Sequence, residues 1–300
     1  MGNRVGFIGL GTMGRPMVTN LAKAGIAVAA YDASPAALEA ARGIAGVTPA
    51  GSPKAVAAQA DVVFTCLPND EAVRAVYLGP EGLAAGGRSG LVTCDCSTVS
   101  PEVTLDVHRT LAPRGISHLD TPMLGSQPQA VAGEIFFIVG GDGAKLPRIE
   151  PYLKIMGKLH LHVGPIGTGH RIKLIHNGLA AVISVAVAEA LGTGVAAGVD
   201  PYVLYEVVCR GGGMAYGTYW ERRAKRILDG EFAPTFLLQH MVKDATLALT
   251  HARAVGVPAP LLEETWRTYQ EALAEGWGQQ DFSAVSHVIE KRLGRPLSAR

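Results

Sequence analysis

A lysine and an asparagine one helical turn apart are the residues of this sequence best suited to move a proton. Lys173 and Asn177 are spaced i and i+4, so they share one face of a predicted helix. Ala, Val, Leu and Ile dominate residues 174–199, which places the lysine at the mouth of a buried cleft. A lysine removed from water, with an amide beside it, can exchange a proton with a substrate oxygen. The alternative is that Lys173 points into water, as most lysines do.

The segment before this helix indicates a boundary between two domains. Residues 164–169 read Gly-Pro-Ile-Gly-Thr-Gly, a composition typical of a linker. Strands and helices alternate before the linker, and helical patterns follow it. We therefore predict one domain over residues 1–164 and a second, helical domain over residues 165–300. A chain of 300 residues suits two domains of ordinary size.

Composition narrows the choice of partners and of compartment. The formal net charge is +1, so nucleic acid and anionic membranes are not expected partners. The four cysteines lack the spacing of a zinc site, and His160 and His162 have no third ligand nearby, so no metal is predicted. An apolar strand begins by Val5 and leaves no room for an export signal. We expect a cytoplasmic protein that binds small molecules or copies of itself.

The apolar tract of residues 174–199 also has the length of a membrane span. A span needs about 20 strongly apolar residues. This tract contains Glu189 and is rich in Gly and Ala, which favours a helix packed closely on all sides. We therefore predict that it forms the spine of the second domain and does not cross a membrane.

The N-terminal segment has the order of strand, glycine turn and helix that is typical of a dinucleotide-binding site. Gly9 permits the tight turn, Gly11 lets the backbone approach a pyrophosphate, and Gly14 lets the helix lie close to the strand. The helix N-terminus then offers N–H groups and a positive dipole end to the phosphates. The predicted cofactor-binding loop is Gly9, Leu10, Gly11, Thr12, Met13 and Gly14.

An aspartate at the end of the second predicted strand has the position of a ribose-binding residue. The number of residues from Gly14, the last glycine of the loop, to Asp32 is close to the spacing of about 20 residues expected for the acid that binds the adenosine ribose. A carboxylate at that place accepts hydrogen bonds from both ribose hydroxyls and repels a 2′-phosphate, so NAD is favoured over NADP. The alternative is that Asp32 only caps the helix that starts at Ser34-Pro35.

Alternating strands and helices predict an α/β fold with a mainly parallel sheet in the first domain. Ligands of such sheets collect at the carboxyl ends of the strands. Polar segments follow three of these ends, at residues 67–69, 95–98 and 120–126, and each is also compatible with ordinary turns. The predicted strands are Arg4–Leu10, Ala27–Tyr31, Val62–Leu67, Leu91–Cys94, Ile116–Leu119, Ile135–Val139 and Leu159–Val163.

Two separated motifs resemble those of one family. Residues 7–17 read Phe-Ile-Gly-Leu-Gly-Thr-Met-Gly-Arg-Pro-Met, and Asn20-Leu21 follows. Residues 167–177 contain Gly-x-Gly-x-x-x-Lys-x-x-x-Asn. Together these segments resemble the β-hydroxyacid dehydrogenases, the family of 3-hydroxyisobutyrate dehydrogenase and tartronate semialdehyde reductase. The resemblance implies an N-terminal Rossmann-type dinucleotide-binding domain and an all-α C-terminal domain for substrate binding and oligomerisation, joined by a long helix.

The resemblance also implies roles for matched residues. Lys173 would be the catalytic lysine and Asn177 its partner, and both would touch the substrate. Lys243 would lie near the nicotinamide, although the helical pattern alone places Lys243-Asp244 on a solvated face. Family members commonly form dimers or tetramers through the helical domains, so a homodimer or homotetramer is expected. Further cofactor-lining residues would be Leu67, Pro68 and Thr98, and Thr98 would also contact the substrate.

One segment departs from the family pattern. The family usually has Asp-Ala-Pro-Val-Ser-Gly-Gly, in which Ser-Gly-Gly binds the substrate carboxylate. Here the last three residues are Leu124, Gly125 and Ser126, so a hydroxyl is lost at one position and gained two residues later. Backbone N–H groups of this segment can still bind a carboxylate. We expect a substrate pocket that is more apolar and differently shaped.

The predicted function is an NAD(P)-dependent oxidoreductase. A hydride would pass between the nicotinamide and a small β-hydroxy acid or its semialdehyde, with Lys173 as proton donor and acceptor. A reductase of a non-acid carbonyl or an imine is an alternative that the loss of serine at Leu124 supports. A dinucleotide-binding regulatory protein without turnover is a further alternative, but it would have no need of Lys173 and Asn177.

Overall fold

The structure is a computed structural model that describes residues 4–298. The chain divides into two compact units, and the division falls between Lys173 and Leu174. The first unit contains a sheet with helices, and the second unit is helical. This is the predicted fold class of an α/β dinucleotide-binding part followed by an α-helical part.

The first unit is built around one sheet, which has nine strands within the described residues. The strand order is β3-β2-β1-β4-β5-β6-β8-β7, with β9 paired to β8. The strands from β3 to β6 in this order run parallel, whereas β8 runs antiparallel to β6 and β7. The strands are β1 Val5–Ile8, β2 Val28–Tyr31, β3 Val47–Pro49, β4 Val62–Thr65, β5 Val92–Asp95, β6 Ser117–Asp120, β7 Met123–Leu124, β8 Ile135–Gly140 and β9 Gly157–Gly164.

Helices fill the intervals between most strands. Three of them begin with a Ser-Pro pair in which the serine caps the helix: Ser34 Oγ accepts from Ala37 N, Ser52 Oγ from Ala55 N and Ser100 Oγ from Val103 N. The helices of this unit are α1 Gly14–Lys23, α2 Pro35–Arg42, α3 Pro53–Gln59, α4 Asp70–Leu78, α5 Leu83–Gly86, α6 Pro101–Leu111, α7 Gln127–Ala132 and α8 Leu146–Met156, with 3₁₀ turns at Ala112–Arg114 and Gly143–Lys145.

The sheet separates two apolar cores. Successive side chains of a strand point to opposite faces, so Phe7 and Phe64 belong to one core while Ile8 and Val63 belong to the other. Both faces of the central strands are buried, which explains why these strands are continuous apolar runs in the sequence. The polar segments at the carboxyl edge therefore follow strands that are packed on both faces.

The long helix α9, Thr168–Ala196, begins in the first unit and continues into the second. Among the described residues it is the one helix long and apolar enough to cross a membrane by length and composition. In its most apolar 18-residue window, 44% of the residues are buried inside the protein. The further helices are α10 Pro201–Gly211, α11 Lys225–Asp229, α12 Leu238–Ala254, α13 Pro260–Ala274 and α14 Ser286–Leu293, with a π turn at Trp220–Ala224 and 3₁₀ turns at Trp277–Gln279 and Phe282–Val285.

A buried ion pair lies in the second unit. Asp281 is fully buried, and its Oδ1 accepts a hydrogen bond from Arg223 Nη1 at 2.8 Å. The guanidinium also lies over the Phe282 ring, 4.5 Å from its centroid. Thr235 donates to Asp281 Oδ2 through its N–H at 3.0 Å and its hydroxyl at 2.8 Å. Burial alone raises the pKa of Asp281, but Arg223 and these hydrogen bonds outweigh it and lower the pKa below its usual value.

Asp281→Asn is expected to lower the free energy of unfolding by about 3 kcal/mol near neutral pH, because it leaves the Arg223 charge without its partner. A carboxyl group with a lowered folded-state pKa stabilises the fold above its unfolded pKa, and that stability is lost as the pH falls through the folded value. The difference between wild type and variant should therefore shrink below about pH 4. Urea titrations followed by circular dichroism at several pH values measure it.

Asp229→Asn is the matched control, since Asp229 pairs with Lys225 at 2.8 Å on the surface. That substitution should change stability by less than about 1 kcal/mol. An Asp281 variant that is as stable as the control, or equally destabilised at every pH, would contradict this assignment.

Candidate active site

The glycine loop between β1 and α1 has the shape of a phosphate cradle. Gly9 has a φ of +95°, and a Cβ at Gly9 would collide with the Cys66 carbonyl oxygen. A Cβ at Gly14 would collide with the Gly9 carbonyl oxygen. Gly11 differs, because nothing lies within 4 Å of the place where its Cβ would stand. Two glycines thus close the turn, and the third leaves an open space beside the backbone.

The start of α1 is suited to an anion. Met13 precedes the helix and provides no side-chain cap for its first N–H groups. Gly11 and Thr12 are exposed beside this helix end. A dinucleotide pyrophosphate fits here because the positive end of the helix dipole favours negative charge and the backbone beside Gly11 is open, although Arg15 N already donates to the Gly11 carbonyl oxygen and Pro16 has no N–H.

Asp32 stands against the same loop. Its Oδ2 accepts a hydrogen bond from Leu10 N at 2.6 Å, and its Oδ1 accepts one from Ser34 N at 2.7 Å. Each carboxylate oxygen keeps a further lone pair for a ribose hydroxyl. The two interpretations of Asp32 are therefore compatible, since the residue supports the start of α2 and faces the glycine loop at once.

A buried polar network positions the residues after β4. Leu67 N donates to Ser97 Oγ at 2.8 Å, and Ser97 Oγ donates to Asp95 Oδ1 at 2.5 Å. Asp95 also accepts from Thr65 Oγ1 at 2.8 Å. The network joins the ends of β4 and β5, so the loop that contains Leu67 and the exposed Pro68 is fixed to the strand end that leads to Thr98.

The segment Leu124–Ser126, which differs from the family pattern, lies on β7 and the turn after it. Leu124 is half-buried and pairs with Phe136 of β8. Gly125 is exposed with a φ of +128°, a conformation that favours glycine. Ser126 does not present its hydroxyl proton to a ligand, because Ser126 Oγ donates to Gln129 Oε1 at 2.7 Å.

An asparagine of the N-terminal motif connects two of these elements. Asn20 Nδ2 on α1 donates to the carbonyl oxygen of Ala130 on α7 at 2.9 Å. The helix after the glycine loop is thereby tied to the helix after Leu124–Ser126. This bond gives Asn20 a structural role in joining the two predicted binding segments of the first unit.

Lys173 lies on the buried face of α9. Only 8% of the residue is exposed, whereas its neighbours Ile172 and Ile175 are exposed by 37% and 64%. The alternative of a lysine that points into water does not fit this burial. The buried face recurs at residues 169–170, 173–174, 177–178 and 181, which is the period of a helix packed on one side.

In the second unit, Asn177 is held by an aspartate of α12. Asn177 Nδ2 donates to Asp244 Oδ2 at 2.6 Å, and Lys243 Nζ lies 3.1 Å from Asp244 Oδ1. The prediction of a solvated Lys243-Asp244 pair is wrong for Asp244, which is 1% exposed. Its carboxylate is buried because it meets an amide and an ammonium. The pattern contained a signal, since Asp244 follows Met241 by three residues on the apolar face of α12.

One buried histidine and two buried cysteines of the first unit are poor proton carriers near neutral pH. Burial, with smaller effects from His170 and His108, lowers the pKa of His118 to about 3, so its ring stays neutral. Burial raises the pKa of Cys94 and of Cys96 well above the usual range, so both stay thiols.

Two family models cover nearly the whole chain. Residues 4–167 match the NAD binding domain of 6-phosphogluconate dehydrogenase. Residues 167–289 match the NAD-binding domain of NADP-dependent 3-hydroxyisobutyrate dehydrogenase. A 2-(hydroxymethyl)glutarate dehydrogenase from Eubacterium barkeri is 36% identical over 295 residues, which cover 98% of this chain and 97% of the relative. This chain belongs to the β-hydroxyacid dehydrogenase family.

Two further β-hydroxyacid dehydrogenases are similar along their whole length. The NAD-dependent L-serine dehydrogenase of Pseudomonas aeruginosa is 34% identical, with coverage of 97% of this chain and 99% of the relative. The solved structure of a Mycobacterium tuberculosis 3-hydroxyisobutyrate dehydrogenase with L-serine is 33% identical, with a TM-score of 0.86 over 96% of this chain and 99% of that one. The protein is therefore an NAD(P)-binding oxidoreductase of the hydroxyacid dehydrogenase family.

Gly11→Ala is expected to weaken dinucleotide binding by about 10-fold or more without unfolding the protein. The new methyl group has room in the free protein but takes the space into which a pyrophosphate must come. Titration of NADH fluorescence gives the Kd, and thermal unfolding gives the Tm. Gly43→Ala is the control, because its Cβ would make only an ordinary contact at 3.6 Å. Unchanged NADH affinity in Gly11→Ala would place the pyrophosphate elsewhere.

Proposed function

We propose that this protein transfers a hydride between a nicotinamide dinucleotide and the alcohol carbon of a small β-hydroxy acid, with Lys173 as the group that moves the proton. The observation that carries the proposal is the burial of Lys173 at the start of α9, on the face that also contains Asn177. Most lysines extend their ammonium group to water instead.

The residues of the first unit fit the dinucleotide. The glycine loop and the start of α1 would hold the pyrophosphate, Asp32 would hold the adenosine ribose, and the loop of Leu67 and Pro68 would line the cofactor together with Thr98. When bound, the cofactor supplies a hydride acceptor or donor at C4 of its nicotinamide. What the protein must add is orientation, exclusion of water and a path for one proton.

Lys173 supplies that path. In the direction of oxidation, the neutral amine takes the proton from the substrate hydroxyl as the carbon loses its hydride. In the direction of reduction, the ammonium stabilises negative charge on the substrate oxygen and then gives its proton to it. A lysine serves both directions because its neutral form accepts a proton and its charged form donates one.

Asn177 is proposed to hold the lysine and the substrate oxygen in register. Its Nδ2 is taken by Asp244, which turns the amide and fixes the direction of Oδ1. Oδ1 lies 3.0 Å from His176 Nδ1 and has a second lone pair. That lone pair is the one we assign to the ammonium of Lys173 or to the substrate hydroxyl. Lys243, paired with Asp244, is proposed to lie near the nicotinamide.

Three of the relatives support one substrate class by their names. L-serine, 3-hydroxyisobutyrate and 2-(hydroxymethyl)glutarate all have a hydroxymethyl group on the carbon that bears a carboxylate. We propose that the substrate contains this unit. Leu124, Gly125 and Ser126 are the segment we assign to the carboxylate side, where Leu124 favours an apolar substituent on the substrate and Gly125 offers a backbone N–H.

Compartment and assembly are part of the proposal. All four cysteines are free, which fits the reducing cytoplasm. Exposed apolar side chains on α10, among them Val203 and Val207, support a homodimer or homotetramer. The choice of NAD over NADP rests on Asp32, whose charge opposes a 2′-phosphate.

Lys173→Ala is expected to lower kcat by about 10³-fold while the Kd for NADH stays within a factor of about two, because the variant loses the proton path and keeps the cradle. The reaction is followed by NADH absorbance with L-serine, 3-hydroxyisobutyrate and 2-(hydroxymethyl)glutarate.

Lys158→Ala, at an exposed lysine of β9, is the matched control and should keep wild-type kcat. Wild-type kcat in Lys173→Ala would eliminate the proposed proton role. NADH binding by the wild type without turnover of any hydroxy acid or semialdehyde would favour the regulatory alternative.

The wild type is expected to prefer NAD to NADP by about 10²-fold in kcat/KM, and Asp32→Asn should reduce that preference at least about 10-fold. Asparagine keeps an acceptor for Leu10 N but removes the charge that repels a 2′-phosphate. Initial rates with each cofactor measure the ratio. A wild type that prefers NADP, or a ratio that is unchanged in the variant, would refute the assignment of Asp32.

A further inference from the structure

A buried carboxylate meets the first turn of α9. Asp120 ends β6 and is fully buried. Its Oδ1 accepts a hydrogen bond from Gly167 N at 2.8 Å, and its Oδ2 accepts one from His170 N at 2.8 Å. One side chain of the sheet therefore binds two backbone N–H groups at the start of the helix.

This contact replaces a cap that the local sequence does not supply. A helix needs acceptors for its first N–H groups, and the residue before Thr168 is a glycine, which has no side chain to offer. A carboxylate at a helix N-terminus also interacts favourably with the helix dipole. Asp120 thus serves as an N-cap that comes from a strand 47 residues away in sequence.

Two glycines make room for this carboxylate. A Cβ at Gly169 would lie 2.7 Å from Asp120 Oδ2 and 2.8 Å from the Ile138 carbonyl oxygen. A Cβ at Gly140 would collide with the same carboxyl group. The second glycine of the Gly-x-Gly motif is therefore required by the close approach of α9 to β6.

His170 forms a second attachment between α9 and the sheet. Its ring is fully buried, with Nε2 at 3.1 Å from the Ser97 carbonyl oxygen and Nδ1 at 2.6 Å from Thr104 Oγ1. Since a carbonyl can only accept, Nε2 has the proton and donates it. His170 thereby ties the helix to the strand end that precedes Thr98.

We propose that Asp120 and His170 are positioning residues that fix the direction of the Lys173 side chain. The inference rests on the proposed role of Lys173. Lys173 follows His170 by three residues. The hydrogen bonds of Asp120 and of the His170 ring therefore fix the orientation of the helical turn that contains Lys173, and its position relative to the sheet. Displacement of a reacting group by about 1 Å can lower the reaction rate by about 10²-fold. The turn that contains Lys173 therefore needs a fixed position.

Asp120→Asn tests the anchor, because asparagine keeps the size but turns one acceptor into an NH₂ group that faces an N–H donor. Hydrogen exchange of the Gly167 and His170 amides should become at least about 10-fold faster. The rate constant kcat should fall by about 10-fold to 100-fold, while the Kd for NADH stays unchanged.

Two further variants separate anchoring from folding. Asp200→Asn removes another carboxylate that caps a helix through two N–H groups, those of Tyr202 and Val203, and should leave kcat unchanged. Thr104→Val removes the partner of His170 Nδ1, together with the hydrogen bond from Thr104 Oγ1 to the Ser100 carbonyl oxygen, and should lower kcat in the same direction as Asp120→Asn, by a smaller factor. If Asp120→Asn does not fold, Thr104→Val alone tests the proposal. A wild-type kcat in Thr104→Val then overturns it.

A double-mutant cycle identifies the route of the effect. In the Lys173→Ala background, Asp120→Asn should cause no further loss of kcat, because its effect passes through the lysine. An equal loss in both backgrounds, or unchanged amide exchange, overturns the positioning role. If Lys173→Ala alone keeps wild-type kcat, the proposed function fails first and separately. If Lys173→Ala is inactive but Asp120→Asn is not impaired, only this inference fails.

Discussion

The free N–H groups at the start of a helix have to be satisfied, and this constraint organises the first unit. α1 starts after Met13 without a side-chain cap and beside an open space at Gly11. At the start of α9, the N–H groups of His170 and of Gly167, the residue before the helix, are bound to the buried carboxylate of Asp120. One helix start lacks a side-chain cap, whereas the other is closed by a carboxylate of the protein itself.

This difference matches the role that we propose for each helix. A helix that binds a pyrophosphate must keep its N–H groups available until the ligand arrives. A helix that aims one side chain gains from being fixed in advance, because preorganised groups cost no reorganisation when charge develops. The polar network of Asp95, Ser97 and Thr65 extends the same principle to the loop after β4, which contains Leu67.

Local patterns made much of this arrangement predictable. The strand–glycine–helix order, the spacing of Asp32 from the glycine loop and the apolar run after Lys173 are each visible as local patterns in the sequence. The two shortest strands, β3 and β7, were not predicted, because three and two residues contain no measurable alternation and their pairing comes from the neighbouring strands. The antiparallel direction of β8 is likewise set by its partners and not by its own residues.

The partners of the buried carboxylates could not be predicted from the sequence. Asp120 was recognised as part of a polar strand end, but its hydrogen bonds reach Gly167 and His170 about 50 residues away, and no local pattern reports such a contact. Asp244 was assigned to a solvated face, since a carboxylate is usually exposed unless it is paired. Its partner Asn177 lies 67 residues away. Buried polar pairs of this kind depend on the tertiary structure, so they emerge only when the chain is folded.

A crystal structure of the protein with NAD and 3-hydroxyisobutyrate tests the central claim most directly. The account predicts that Lys173 Nζ lies about 3 Å from the substrate hydroxyl oxygen, with the pyrophosphate against Gly11. A Lys173 side chain directed into bulk water, or a dinucleotide bound away from the glycine loop, would contradict it.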